Sequence, residues 1–150
     1  MTAVPQGTSP EVRKQKIALL FEHIITKGEL ELADDLFHED FHWPQFDLHG
    51  PEGVRSWVRA FLTAFPDMSD LVQEQWAEGD TVITRVECIG TQLGPFRGLP
   101  PSGKQATFTA IGIDHFVGEK VISRSAHFDI ADLMRQLGHT TLEVPPLNRP

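Results

Sequence analysis

Residues 105–130 read QATFTAIGIDHFVGEKVISRSAHFDI. Two runs rich in β-branched and aromatic residues flank Gly118-Glu119-Lys120, which predicts two antiparallel strands closed by a tight turn. Side chains alternate faces along a strand. His115 therefore shares a face with Thr107, Thr109, Ile111 and Ile113, while Asp114 points the other way. On the second strand Ser123, Ser125, His127 and Asp129 share a face. Beyond it, Ile130, Leu133, Met134 and Leu137 predict a short helix stopped by Gly138.

Working outward, LVQEQWAEGD (71–80) is strand-like up to a Gly79-Asp80 turn, and TVITRVECIGTQ (81–92) is a β-branched strand. The intervening GPFRGLPPSGK (94–104) is too rich in Pro and Gly for regular structure. The first half of the chain has helical periodicity instead. Ser9-Pro10 is a capping hydroxyl followed by a first-turn proline, and Ile17, Leu20, Phe21, Ile24 and Ile25 recur on one face up to Gly28. A short helix with Leu30, Ala33 and Phe37 on one face follows. FHEDFHWPQFDLHG (37–50) is read as irregular. Pro51-Glu52-Gly53 opens a third helix whose stripe is Val54, Trp57, Val58, Phe61, Leu62 and Phe65, ended by Pro66. Helices first and a strand meander after them predict an α+β fold. A curved antiparallel sheet wrapped around the N-terminal helices leaves an internal pocket between the layers.

With 150 residues, one domain over 1–150 is expected, its core at about 9–138, with flexible tails at 1–8 and 140–150. A hydrophobic fraction of 40% against 23% charged is globular rather than disordered. No apolar run approaches the ~20 residues of a membrane span, and no apolar signal core follows the N-terminus, so a cytoplasmic protein is expected. The net charge of −8, with scattered basic residues, argues against nucleic acid and anionic membrane surfaces as partners. A neutral, apolar small molecule is compatible. The single cysteine, Cys88, rules out an internal disulfide and reads as a buried thiol. The seven histidines show no ligand spacing on one element, so neither a metal nor a cofactor is expected.

Four stretches, FPDM (65–68), AEGDTVITRVECIGTQLGPFRGLPPSGK (77–104), GIDHFVGEKVISRSAHFD (112–129) and LMRQLG (133–138), together resemble the SnoaL-like polyketide cyclases. These belong to the nuclear-transport-factor-two-like superfamily. The resemblance spans roughly residues 12–138. It implies a cone-shaped or barrel-like sheet with a pocket opening into it. The implied activity is cofactor-independent, aldol-type ring closure of an apolar polycarbonyl compound. It also implies a key Asp near the end of the last strand with a His fourteen positions earlier, here Asp129 and His115. The chain departs from the wider family at Gln92, where a His is common, and at Ser125, where a Trp is frequent. Both changes bear on the pocket's polarity more than on the fold.

Aldol closure needs a proton taken from carbon and one returned to oxygen, which a single carboxyl with a raised pKa can do. Asp129 is the candidate shuttle; the alternative is a cap on the following helix. His115 would support the oxyanion or steer Asp129. His127 would orient Asp129 or bind substrate oxygen, or is a hydrogen-bonded imidazole. Asp114 is a reserve acid or a salt-bridge partner. Trp43, His42 and Gln45 are read as pocket wall, or as a staple between helices. Gln92 and Trp76 are further candidate substrate contacts. A second carboxylate beside the first, with Asp35, Asp47 and Glu87 the acids to check, would favour epoxide opening or hydration. Isomerisation, hydroxylation and a non-catalytic binding or dimerisation module complete the alternatives. A homodimer or higher homo-oligomer is expected in each case.

Overall fold

The computed structural model describes residues 2–139. Helix α1 spans Pro10–Leu19; the Ser9 hydroxyl accepts from the Val12 N–H at 3.2 Å and Pro10 takes the first turn. The chain continues as a π-helical stretch, Leu20–Ile25, and turns out at Gly28 in the left-handed region, φ +69°. This wider winding lets the Thr26 hydroxyl donate to the Phe21 carbonyl at 2.8 Å. A 3₁₀ turn, Leu30–Leu32, leads into the short α2, Ala33–Leu36.

FHEDFHWPQFDLHG, expected to be irregular, is instead strand β1 (Phe37–Trp43), a 3₁₀ turn (Pro44–Phe46) and strand β2 (Leu48–His49). The register of β1 slips between Phe37 and His42, and Glu39, which shares the parity of the inward residues Phe37, Phe41 and Trp43, is exposed. Helix α3, Gly50–Ala64, carries the expected apolar stripe. Strands β3 (Ser69–Glu78), β4 (Thr81–Thr91), β5 (Gln105–Val117) and β6 (Lys120–Phe128) form the antiparallel meander. Helix α4, Ile130–Gln136, ends the described chain. The C-terminal tail assigned to 140–150 lies outside the described residues.

The fold is α+β, as expected. Its single six-stranded sheet has the order β2-β1-β6-β5-β4-β3. The sheet is antiparallel except where β1 runs parallel to β6, and its edge strands β2 and β3 do not meet. It is a curved open sheet rather than a closed barrel.

The α1–π segment and α3 fill the concave side. Ile17, Leu20, Ile24, Val54 and Val58 pack there against Phe37, Phe41, Val86 and Phe116. Burying side chains of this size stabilises by roughly 1.5–3 kcal/mol each before entropy is charged against it. Arg13 and Lys16, buried on α1, tie the helix to both hairpin turns. Arg13 donates to the Gly79 and Gly118 carbonyls, and Lys16 to that of Glu119. No helix among the described residues is long and apolar enough to cross a membrane.

Candidate active site

The concave face carries three buried charged groups among apolar neighbours. Asp70 near the start of β3, Asp114 on β5 and Arg124 on β6 are 4%, 0% and 4% exposed. Asp114 and Arg124 are cross-strand partners, with Nη1 to Oδ1 at 3.6 Å, an ion pair longer than a hydrogen bond. Gly112 makes room for the guanidinium, since a Cβ there would lie 2.5 Å from Arg124 Nη2 and 3.3 Å from Phe21 Cζ. The guanidinium carbon sits 4.9 Å from the Trp43 ring centroid and 5.4 Å from that of Phe21, so two aromatic faces help offset its desolvation. Asp70 is placed from across the cone, its N–H donating to Thr26 Oγ1 at 2.9 Å.

Both oxygens of Asp114, Oδ1 of Asp70 and Nε of Arg124 are buried with no hydrogen-bond partner among the described residues. An unpaired buried polar atom costs on the order of 1–3 kcal/mol, more when charged, so such a cluster is retained against a stability cost. Burial pushes the Asp70 carboxyl up from its ordinary 3.8 to about 6, with Cys88 and Arg124 pulling the other way. Burial likewise raises Asp114, opposed by Arg124.

The cavity over Asp70 and Arg124 is narrow, about 50 Å³, and its other walls include Phe21, Trp43, Cys88 and Phe108. Asp114 lies behind Arg124 rather than on this wall. Outside it opens a cleft of about 510 Å³, bounded by Gln45 and Phe46 on one side and Pro95, Phe96 and Arg97 on the other. Trp57, Phe61 and Phe128 line both spaces and so form the partition between them. The 93–104 loop that bounds the cleft is held by Gln92. This fully buried side chain bonds the Gly94 and Pro100 carbonyls and the Ser102 N–H.

The residues singled out from sequence are dispersed. Asp129 is exposed and caps α4, its Oδ1 accepting from the Asp132 N–H at 2.9 Å. His115 and His127 are exposed on the convex face of the sheet; His115 Nδ1 lies 3.0 Å from Thr81 Oγ1, and His127 stands opposite Ile111. The shared face read from alternation is present, but it faces away from the cavity. None of Asp129, His115 and His127 lines either space. Gln92 braces the loop instead of facing the cavity. Trp76 lies half-exposed in a separate shallow groove on β3. His42 turns outward to Asp47 and His49. Trp43 does line the inner cavity, and Gln45 the cleft, where its amide clamps both the N–H and C=O of Ala126. Asp35 and Asp47 are exposed, Glu87 is partly so, and none of them reaches either space.

Asp70 and Arg124 were missed from sequence. The available signal was a charged residue within each otherwise apolar inward run, but a bulge in β6 hides the parity. Phe116 pairs with Val121 and His115 with Ser123, leaving Ile122 extra, so Val121 and Arg124 both face inward although three apart.

Against this geometry, the family model of the SnoaL-like polyketide cyclases matches residues 15–137. Among solved structures, TsrD from Streptomyces laurentii superposes with a TM-score of 0.83 at 24% identity, covering 89% of this chain and 100% of its own. IdmH from Streptomyces antibioticus, a candidate polyketide cyclase, gives 0.71 at 27% identity, with 84% and 98% covered. AclR from Streptomyces galilaeus, a candidate hydroxylase, gives 0.74 at 22%, with 89% and 100% covered. No curated protein sequence matches the chain.

Proposed function

Because the chain belongs to the SnoaL-like polyketide cyclase family, we propose that it closes a ring in an apolar polycarbonyl compound by acid/base chemistry at Asp70, Arg124 and Asp114. The observation that carries this reading is a carboxyl raised to about 6, with one oxygen free, in an apolar cavity it shares with a stacked guanidinium. A carboxyl with a pKa near neutrality is available as both base and acid. Asp70 takes the proton from a carbon flanked by carbonyls. The resulting enolate attacks a second carbonyl of the same chain, forming the carbon–carbon bond, and the charge passes to that carbonyl's oxygen. Asp70 then returns its proton to the alkoxide. Arg124 stabilises the oxyanion, which is worth most where water is excluded. Asp114 holds Arg124 from behind. The cleft folds the remainder of the substrate against Phe46, Trp57 and Phe96, and this positioning supplies much of the rate. The scheme requires no cofactor.

The test is product formation from a panel of linear poly-β-ketone esters. Asp70→Asn should lower turnover by roughly 10²–10⁴-fold, while Asp129→Asn and His115→Gln stay near the parent rate. Wild-type turnover in Asp70→Asn, or an equal loss in Asp129→Asn, would return the chemistry to the strand end.

A second reading has its own observation: the Asp70 carboxyl, raised to about 6 and with one oxygen free, is available as an acid inside the cavity. In its protonated form it gives its proton to an epoxide oxygen, and the carboxylate so formed takes the proton of the attacking hydroxyl. Turnover of an epoxy alcohol, with the poly-β-ketone esters left untouched, would select it. A homodimer formed through the convex sheet face, where Leu71, Ile111 and Val117 are exposed, belongs to the same proposal. Light scattering tests it.

A further inference from the structure

His42 and His49 are cross-strand partners on the β1–β2 hairpin, so their side chains rise on the same side of the ribbon. Their rings face each other with centroids 4.3 Å apart and planes within 9°. Between them, the Pro44–Phe46 turn and Asp47, left-handed at φ 49°, bring the chain back on itself. The Asp47 carboxylate thereby meets both ring edges: Oδ1 is 3.0 Å from His49 Nε2 and 3.3 Å from His42 Nε2. Ligand atoms of all three residues lie within 4.8 Å of one another.

We propose that His42, Asp47 and His49 bind one divalent transition-metal ion on the outside of the hairpin, away from the cone. Nitrogen and oxygen ligands stand about 2.0–2.1 Å from such an ion. Two ligands at that distance are about 2.9 Å apart at a right angle and about 3.4 Å apart at a tetrahedral angle. The two observed nitrogen–oxygen separations fall in that interval. Coordination requires each ring to turn so that its Nε2 lone pair, rather than an N–H, points at a common centre. Both imidazoles are exposed enough to do so. Two imidazoles and one carboxylate favour zinc, nickel, cobalt or copper over magnesium or calcium, which prefer oxygen. Three protein ligands leave the remaining positions to water.

The position gives the ion a structural consequence. The same hairpin carries Trp43, which lines the inner cavity, and Gln45 and Phe46, which wall the cleft. An ion linking β1, its turn and β2 would hold that wall in one arrangement. The site is independent of the proposed chemistry, and its test needs no substrate.

The test is isothermal titration of nickel chloride, and separately of zinc chloride, into metal-stripped protein without an affinity tag. Thermal melting is followed with and without each ion. One ion should bind per chain with micromolar affinity and raise the melting temperature of the parent by mass action. His42→Gln and His49→Gln should each weaken binding at least about tenfold and abolish the melting shift. Their metal-free melting should stay at the parent value, since both positions are at the surface. His127→Gln, exposed elsewhere on the sheet, should bind as the parent does. No uptake by the parent, or equal affinity in the parent and both hairpin variants, overturns the proposal.

Discussion

The two faces of the β5–β6 ribbon carry polar residues of the same kinds in opposite circumstances. On the convex face His115, Ser123, Ser125 and His127 lead to Asp129, and the hydrogen-bond capacity of that row is met by neighbours, solvent or a helix cap. On the concave face, one residue away in sequence, Asp114 and Arg124 are buried with polar atoms unpaired. Water supplies for the outer row whatever the protein does not, at little cost. The inner row has no such supply from neighbouring side chains, and the long ion pair between Asp114 and Arg124 offsets only part of the desolvation. Residue type therefore separates the two rows poorly, and satisfaction separates them well.

The sharpest way to break this contrast is to remove one member from each face. Arg124→Met keeps the bulk and the aromatic contacts but deletes the charge. It should lower ring-closing turnover by about 10²–10³-fold, the usual loss when a preorganised oxyanion donor is removed. Asp114 should then take up a proton rather than remain ionised, so the fold survives. His127→Ala, on the outer face, should change turnover less than twofold and stability by no more than about 0.5 kcal/mol. Steady-state kinetics and urea unfolding on the same preparations measure both. Comparable losses of turnover in the two variants would erase the distinction.

The next effect is on stability and has a definite sign. The folded Asp70 carboxyl titrates near 6 because burial disfavours its charge, against 3.8 ordinarily. Between those values the folded protein holds a proton that the unfolded chain has released. Stability therefore falls as pH rises through this window and levels off above about 6. The rise corresponds to about 3 kcal/mol at neutral pH. Asp114 acts in the same direction, whereas Asp67 and Asp132, whose carboxyls are held low by Thr91 and Arg135 respectively, act in the opposite one below the ordinary carboxylate range. Asp70→Asn should thus gain stability over the parent at about pH 7 and show no such gain at about pH 4. Urea midpoints at the two pH values read the difference directly. A variant that is destabilised equally at both would mean that Asp70 is not held at the cost inferred.

Most of the fold was legible because its signals are local. Ser9-Pro10 and the stripe of α3 announce helices, and the β-branched runs around Gly79 and Gly118 announce strands. The concealed element was β1, where exposed Glu39, within the register slip, interrupts the inward row of Phe37, Phe41 and Trp43 by which a strand is recognised. The site was legible only in part, for the same kind of reason. Alternation sorted the β5–β6 side chains into two rows but does not say which row faces the core. The bulge at Ile122 then disguised Arg124: counting back regularly from the Gly118 turn sets Ser123 opposite Asp114, whereas the partner is Arg124. Asp70 is further removed, since it joins the cluster only through the curvature of the sheet, a property no local pattern encodes.

The smallest effect concerns Asp129, which the family resemblance placed at the centre of the chemistry. Its side chain accepts from the Asp132 N–H and its carbonyl from Leu133, so it meets the need of the α4 N-terminus for acceptors. Loss of such a cap costs about 1 kcal/mol. Asp129→Ala should lower the unfolding free energy by that amount, read as a lower urea midpoint at unchanged slope, and leave turnover near the parent value. Asp129→Asn, a comparably good cap, should change neither. Because the two variants differ in capping while both lack the carboxylate, they separate the roles: a structural role makes only the alanine visible, in stability alone. A proton shuttle at this position makes both visible, in turnover, and would make the exposed strand end, rather than the buried cluster, the place where the reaction happens.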